Sequence, residues 1–175
     1  MKVLLVRHAA AVPRGTRGVP DDERPLTPNG KAEFHEAARG LVRIAGRVDV
    51  LLTSPLPRAR MTAEIIVRVF KRIELTVEPA LARESVDGIV GALKTHPLGG
   101  TVAVVGHEPA LSALTARLLG VGKQDGLGFE KGGAALMDLP DGPAAGGRLM
   151  WFLGPRILRI LGASGLRQRV FARRK

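Results

Sequence analysis

Four residues of this chain, two arginines and two histidines, have side chains suited to phosphate chemistry and lie close to apolar runs. They are Arg7, His8, Arg58 and His107. A planar guanidinium binds two oxygens of a phosphoryl group at once, and a neutral imidazole can attack phosphorus without first losing a proton. Water would then hydrolyse the resulting phosphohistidine, which divides one difficult displacement into two steps. These residue types therefore predict a site for phosphoryl transfer.

The segments that carry these residues alternate between strand and helix patterns. Strands are predicted at residues 2–7, 49–53, 73–77 and 101–105, with a final pair at 134–139 and 148–152 around a turn. Helices are predicted from Pro28 with Thr27 as its cap, from Pro57, over 85–93, from Pro109 and over 155–161. This order predicts the α/β class, as a three-layer α/β/α sandwich with a mainly parallel central sheet. One strand of the last pair is expected to be antiparallel.

The predicted strands bring the four residues to one edge of the sheet. Arg7 and His8 end the first strand, and His107 ends the fourth. Arg58 lies in the first turn of the helix that follows the second strand. Ligands of open α/β sheets bind beyond the carboxyl ends of the strands, where helix N-termini also offer free N–H groups to anions. A lone histidine at a strand end is more often structural, so the prediction depends on the four residues together.

Three segments resemble signatures of the histidine phosphatase superfamily, which has the phosphoglycerate mutase-like fold. They are Val6-Arg7-His8-Ala9, the run TSPLPRARMTA over residues 53–63, and Val105-Gly106-His107-Glu108-Pro109, and they occur in the family's order. The small size of the chain and three shorter segments are most similar to the phosphohistidine phosphatase branch, the SixA type. Those segments are Arg24-Pro25-Leu26-Thr27, Lys131-Gly132-Gly133 and Pro155-Arg156-Ile157-Leu158.

The resemblance implies a role for each of the four residues by its position in the signatures. His8 matches the family's nucleophile, and Arg7 and Arg58 match its phosphate-binding arginines. His107 matches the second histidine, which contacts the phosphoryl group. All four are therefore expected to be catalytic and to bind phosphate.

Two departures from the superfamily's pattern bear on the substrate. Ala9 stands where most members have glycine, and the resemblance implies that this alanine marks the phosphohistidine phosphatase branch. Mutases and many metabolite phosphatases also carry an acidic proton donor after the third strand, where this chain offers only Glu84 and Asp87. Neither lies in a matching motif. Glu84 and Glu108 are therefore candidate acids or pocket residues. Arg24 is a further candidate pocket residue.

The composition excludes several other kinds of site. The 175 residues include no cysteine, which excludes disulfides, thiolate nucleophiles and thiolate metal ligands. No HxxxH, HExxH or paired acidic motif occurs, so no metal and no cofactor is expected. The net charge of +11 favours anionic partners. Nucleic acid is a less favoured partner, because no tyrosine, one tryptophan and five phenylalanines offer few platforms for stacking bases.

The sequence predicts one phosphatase domain over residues 1–161 and a basic C-terminal tail over 162–175. The apolar stretches are strand-sized and a charge follows early, which predicts a cytoplasmic protein without a membrane anchor. The predicted function is phosphate removal through a phosphohistidine at His8, with a phosphohistidine-bearing protein as substrate. Two alternatives stay open: a phosphatase of small phosphorylated metabolites, and a non-catalytic module that binds anions or nucleic acid.

Overall fold

The fold is organised around a six-stranded mixed sheet, in a computed structural model that describes residues 1–122 and 126–163. The strands are β1 (Lys2–Arg7), β2 (Val50–Thr53), β3 (Glu74–Val77), β4 (Thr101–Gly106), β5 (Ala134–Asp138) and β6 (Arg148–Leu153). The helices are α1 (Pro28–Ala45), α2 (Pro57–Phe70), α3 (Val86–Lys94), α4 (Ala110–Leu119) and α5 (Pro155–Gly162). Short 3₁₀ helices at Asp21–Glu23 and Pro79–Leu81 precede α1 and α3.

The strands are arranged in the order β3-β2-β4-β1-β5-β6. Strands β1 to β4 run parallel to one another, while β5 is antiparallel to both of its neighbours, β1 and β6. The predicted α/β class is therefore confirmed, as is the single antiparallel strand in the final pair. The sheet places β1 and β4 side by side at its centre.

The central strands are buried on both faces of the sheet, and side chains that alternate along each strand join different faces. In β1, Leu4 and Val6 join one apolar cluster, while Val3 and Leu5 join the other. The first cluster includes buried residues of α1, α2 and α5, and the second includes those of α3 and α4. Helices thus cover the sheet on both sides, and the three-layer arrangement is confirmed.

The helices that approach the candidate site begin at the residues that the sequence predicted. Thr27 caps α1, since its Oγ1 accepts the N–H of Gly30 at 2.9 Å, and Pro28 is the first helical residue. Pro57 is the first residue of α2, and Pro109 occupies the N-cap of α4. The fixed φ of proline suits these positions, where its missing N–H has no intrahelical partner to lose.

The C-terminal part of the chain is described as far as residue 163. Helix α5 ends at Gly162, one residue beyond the end of the predicted domain. Positions 164–175, most of the predicted basic tail, lie outside the described residues, so the division into domain and tail stays a prediction. None of the helices within residues 1–122 and 126–163 has the length and apolar character that crossing a bilayer requires.

Candidate active site

The carboxyl ends of β1 and β4 bring two histidines into contact. Arg7 pairs with Gly106 in the parallel ladder, and the N–H of His8 donates to the Gly106 carbonyl at 3.1 Å. His8 and His107, the residues that follow β1 and β4, therefore lie side by side. Their ring centroids are 5.1 Å apart with the ring planes tilted by 52°, and both side chains are buried. The strand register therefore explains why these two residues are neighbours, as the sequence predicted.

One hydrogen bond fixes the protonation of the His8 ring. Its Nδ1 lies 2.8 Å from the carbonyl oxygen of Ala9. A carbonyl can only accept, so Nδ1 carries the proton and Nε2 keeps a free lone pair. Burial is the main cause that lowers the pKa of His8 from 6.5 to about 4; the Ala9 hydrogen bond opposes this effect, and Arg58 and Arg7 add to it. At neutral pH, the His8 ring is therefore uncharged, with the lone pair of Nε2 available.

His107 is buried without a hydrogen-bond partner for either ring nitrogen. Burial is the main cause that lowers its pKa from 6.5 to about 3, and the neighbouring His8 and Arg58 contribute to this shift. A buried polar group without a partner costs free energy, and functional sites are where such groups are retained. The ring can donate one hydrogen bond and accept another, which suits contact with a phosphoryl oxygen.

The two arginines are each held by one backbone carbonyl and keep a buried donor free. Nη1 of Arg7 donates to the carbonyl of Phe129 at 2.5 Å, and Nη1 of Arg58 donates to that of Asp21 at 2.8 Å. Nε of each arginine is buried and has no partner. Anchored guanidinium groups with free N–H donors form an anion site that needs little rearrangement. His107 adds to the same set of unpartnered groups.

Thr62 links helix α2 to the segment that follows His8. Its Oγ1 accepts the N–H of Ala9 at 3.0 Å and lies 2.7 Å from the Arg58 carbonyl, to which it donates. Ala9 is fully enclosed and has none of the positive φ values found elsewhere in the chain. Alanine therefore fits at this position without strain.

Comparison with known families agrees with this geometry. Residues 3–85 match the family model of the histidine phosphatase superfamily, branch 1. The chain belongs to the histidine phosphatase superfamily. The matched region contains Arg7, His8 and Arg58, and β4 adds His107 from outside it.

Similar proteins place the chain near the SixA type. An uncharacterized protein of Picosynechococcus is 32% identical over 114 residues, which are 63% of this chain and 68% of that protein. The structure described as phosphohistidine phosphatase SixA from Agrobacterium tumefaciens is 28% identical, with a TM-score of 0.72 over 88% of this chain and 97% of that one. Its counterpart from Nakamurella multipartitia is also 28% identical, with a TM-score of 0.74 over 88% and 95%.

Arg24 adds a further positive charge near the candidate site. Its side chain is 8% exposed; Nε lies 3.0 Å from Oδ1 of Asp21 and Nη1 donates to the Val12 carbonyl at 2.8 Å. The charge of Arg24 lowers the pKa of Arg58 and of His107. Arg24 is therefore paired with an acid, and its role as a pocket residue stays a prediction.

Asp21 is the site residue whose importance the sequence concealed. Its carboxylate pairs with Arg14 at 2.8 Å and with Arg24, and lies 3.9 Å from Nη2 of Arg58. Hydrogen bonding to Arg14 and Arg24 lowers its pKa below the usual value. The only sequence signal was an acidic cluster between two arginines, which does not reveal that its 3₁₀ helix folds over α2.

Two candidate acids have different surroundings. Both carboxylate oxygens of Glu108 accept hydrogen bonds. Oε1 accepts the Phe129 N–H at 2.8 Å, and Oε2 accepts the Ser112 hydroxyl at 2.7 Å. Glu84 is exposed, with a left-handed backbone at φ 55°. Glu108 thus already has a structural partner for each oxygen, while Glu84 lies in solvent.

Lys131 borders the site from the segment that precedes β5. It is exposed, and together with Ala9 and Gly132 it lines a cavity of about 180 Å³. After burial, the main cause, and the two arginines, its charge makes a smaller contribution to the lowered pKa of His8. Within the described ranges, no group of three or more histidines and carboxylates comes together as metal ligands.

Proposed function

We propose that this protein hydrolyses phosphoryl groups through a covalent phosphohistidine at His8 and that its substrate is a protein phosphohistidine. The observation that carries the proposal is the contact between a neutral His8, with a free Nε2, and His107, flanked by the unpartnered donors of Arg7 and Arg58. The likeness to the SixA structures supports the substrate class.

The geometry supports a two-step displacement. In the first step, Nε2 of His8 forms a bond to phosphorus while the bond from phosphorus to the substrate nitrogen breaks. The bonding pair stays with the departing imidazole, which takes up a proton from solvent. Arg7 and Arg58 bind the equatorial oxygens, on which charge accumulates. In the second step, water attacks phosphorus, the bond to Nε2 breaks, and inorganic phosphate leaves.

The surroundings of the candidate acids support this substrate class. An alcohol leaves as a strongly basic alkoxide unless an acid protonates it, whereas an imidazole leaves far more easily. Both Glu108 oxygens are hydrogen-bonded within the protein, and Glu84 is exposed. An enzyme of this kind is suited to phosphohistidine and to activated aryl phosphates, and less suited to alkyl phosphates.

Trapping the covalent intermediate tests the reaction. Rapid quench with a labelled phosphohistidine peptide should give a protein adduct that survives alkali and is lost in acid. His8→Ala should abolish both the adduct and turnover. His35→Ala, on the exposed surface of α1, serves as the control and should retain both. Wild-type turnover by His8→Ala would disprove the mechanism.

A panel of leaving groups tests the substrate class. Rates should fall steeply from phosphohistidine through aryl phosphates to alkyl and sugar phosphates, and Glu84→Gln should change phosphohistidine turnover less than about twofold. A flat dependence on the leaving group, together with collapse of activity in Glu84→Gln, would show a general acid and favour a metabolite phosphatase. Absence of all turnover, with salt-sensitive binding of nucleic acid, would favour the binding module.

A further inference from the structure

Glu108 follows His107 in the chain, yet its side chain reaches away from the imidazole to the segment that leads into β5. Its Oε1 accepts the backbone N–H of Phe129 at 2.8 Å, and Oε2 is 2.7 Å from Ser112 Oγ. Phe129 is 2% exposed, and its ring centroid lies 4.5 Å from that of Phe152. The carboxylate thus binds a backbone N–H whose own residue is enclosed in the core.

The carbonyl of the same residue holds the side chain of Arg7. Nη1 of Arg7 donates to the Phe129 oxygen at 2.5 Å. Glu108 and Arg7 therefore hold the two sides of one residue, one through its N–H and the other through its C=O. With Nη1 engaged, the edge of the guanidinium that carries the unpartnered Nε remains for an anion.

The backbone of Arg7 is attached to the same segment. The N–H of Arg7 donates to the Gly133 carbonyl at 3.1 Å, and the N–H of Gly132 lies 3.1 Å from the carbonyls of both Arg7 and His8. These contacts fix the backbone of Arg7. They do not determine the conformation of its long side chain. Among residues 1–122 and 126–163, the Phe129 carbonyl is the hydrogen-bond acceptor that holds the guanidinium of Arg7, and Glu108 holds the N–H of the same residue.

We propose that Glu108 is a positioning residue that sets the guanidinium of Arg7 for phosphoryl binding through the Phe129 backbone. The inference rests on the proposed function, in which Arg7 binds the transferring group. It assigns to Glu108 the role of a hydrogen-bond acceptor and excludes proton donation to the leaving group. A charge-assisted acceptor is suited to hold a buried N–H.

Phosphate affinity in a double-mutant cycle tests the link between the two residues. The probe is inorganic phosphate, titrated calorimetrically into wild type, Glu108→Met, Arg7→Ala and the double variant. Methionine keeps the bulk of glutamate without its acceptor, so Glu108→Met should weaken phosphate binding about tenfold. In the Arg7→Ala background the same change should have less than a twofold effect, because the group that it positions is absent. Equal losses in both backgrounds would overturn the proposal.

The conservative variant separates positioning from acid catalysis. Glu108→Gln keeps an oxygen that accepts from Phe129, so phosphate affinity and phosphohistidine turnover should stay within about twofold of wild type. A proton donor would instead lose turnover and the basic limb of its pH profile in this variant. Loss of phosphate affinity in Glu108→Gln as large as that in Glu108→Met would also overturn the proposal.

Glu78→Ala is the matched control. Its Oε1 accepts the N–H of Ala80 at 2.8 Å, so the variant removes the same kind of contact without involving Arg7, and phosphate affinity should not change. If Glu108→Met does not fold, Glu108→Ala takes its place in the cycle. Wild-type phosphate binding without hydrolysis of any phosphorylated substrate would contradict the proposed function while the cycle still decides the role of Glu108. Absence of phosphate binding by wild type would overturn both.

Discussion

Arg58 shows at the scale of a single residue why the type of cation matters in this site. Its side chain is 7% exposed, Nη1 is fixed on the Asp21 carbonyl, and Nε is buried without a partner. A guanidinium can hold the carbonyl with one nitrogen and offer parallel N–H donors to phosphate with the others. An ammonium group carries the same charge on one flexible centre and cannot do both.

We expect Arg58→Lys to lower kcat/KM for phosphohistidine by about 30- to 1,000-fold, equivalent to losing about 2–4 kcal/mol of transition-state stabilisation. Steady-state kinetics measures the effect. Arg60→Lys, an exposed arginine on the same helix, is the control and should behave as wild type. A near-normal rate for Arg58→Lys would remove Arg58 from the site.

Helices α1 and α5 pack closely against each other in the layer beside the site. A Cβ built on Gly40 would lie 2.0 Å from the Leu158 carbonyl oxygen, and one built on Gly162 would lie 2.0 Å from the Glu36 carbonyl oxygen. The two backbones are therefore in direct contact, which a side chain would prevent. Gly30, at the start of α1, is also in close contact with a neighbouring backbone. A Cβ built on it would lie 2.1 Å from the Ala10 carbonyl oxygen.

Gly40→Ala should lower the free energy of unfolding by about 1–3 kcal/mol, because one helix must move away from the other. Gly91, in α3, has no atom within 4 Å of the corresponding Cβ. Gly91→Ala should instead raise stability by about 0.5–1 kcal/mol, because alanine has the higher helix propensity. Urea unfolding of both variants measures the contrast, and equal stability of the two would refute the close α1–α5 contact.

The two buried histidines connect the site to the stability of the whole molecule. Burial lowers the pKa of His8 to about 4 and that of His107 to about 3, while both titrate near 6.5 in the unfolded chain. At pH values between the native pKa values and 6.5, the two histidines bind protons in the unfolded chain but not in the native protein. This contribution to stability is complete above pH 6.5 and is lost as the pH falls toward the native pKa values.

We therefore expect the free energy of unfolding to decrease between pH 6.5 and pH 4.5, with a His8 contribution on the order of 3 kcal/mol over its full titration. His8→Asn and His107→Asn should each have a shallower slope than wild type in this range and a parallel curve above pH 7.5. Urea unfolding at each pH gives the curves. Identical slopes for wild type and both variants would contradict the neutral, buried state of the rings.

The order of the strands and helices and the four residues of the central site could be predicted from the sequence. Continuous apolar runs predicted the buried strands, and Thr27, Pro28 and Pro57 marked helix starts, because capping and proline geometry act within one turn of chain. The rule that ligands bind at the carboxyl ends of parallel strands then predicted that His8 and His107 would meet. Local signals sufficed here because a parallel sheet converts chain order into spatial order.

The groups that hold the side chains of Arg7 and Arg58 could not be predicted from the sequence. Arg7 is anchored by the Phe129 carbonyl, 122 residues away, and Arg58 by the Asp21 carbonyl, 37 residues away. A backbone carbonyl is present at every residue, so no residue type reveals which one will accept these hydrogen bonds. The loss of hydrogen-bond partners at His107 and the lowered pKa values likewise depend on burial, which arises only when all the layers are packed together.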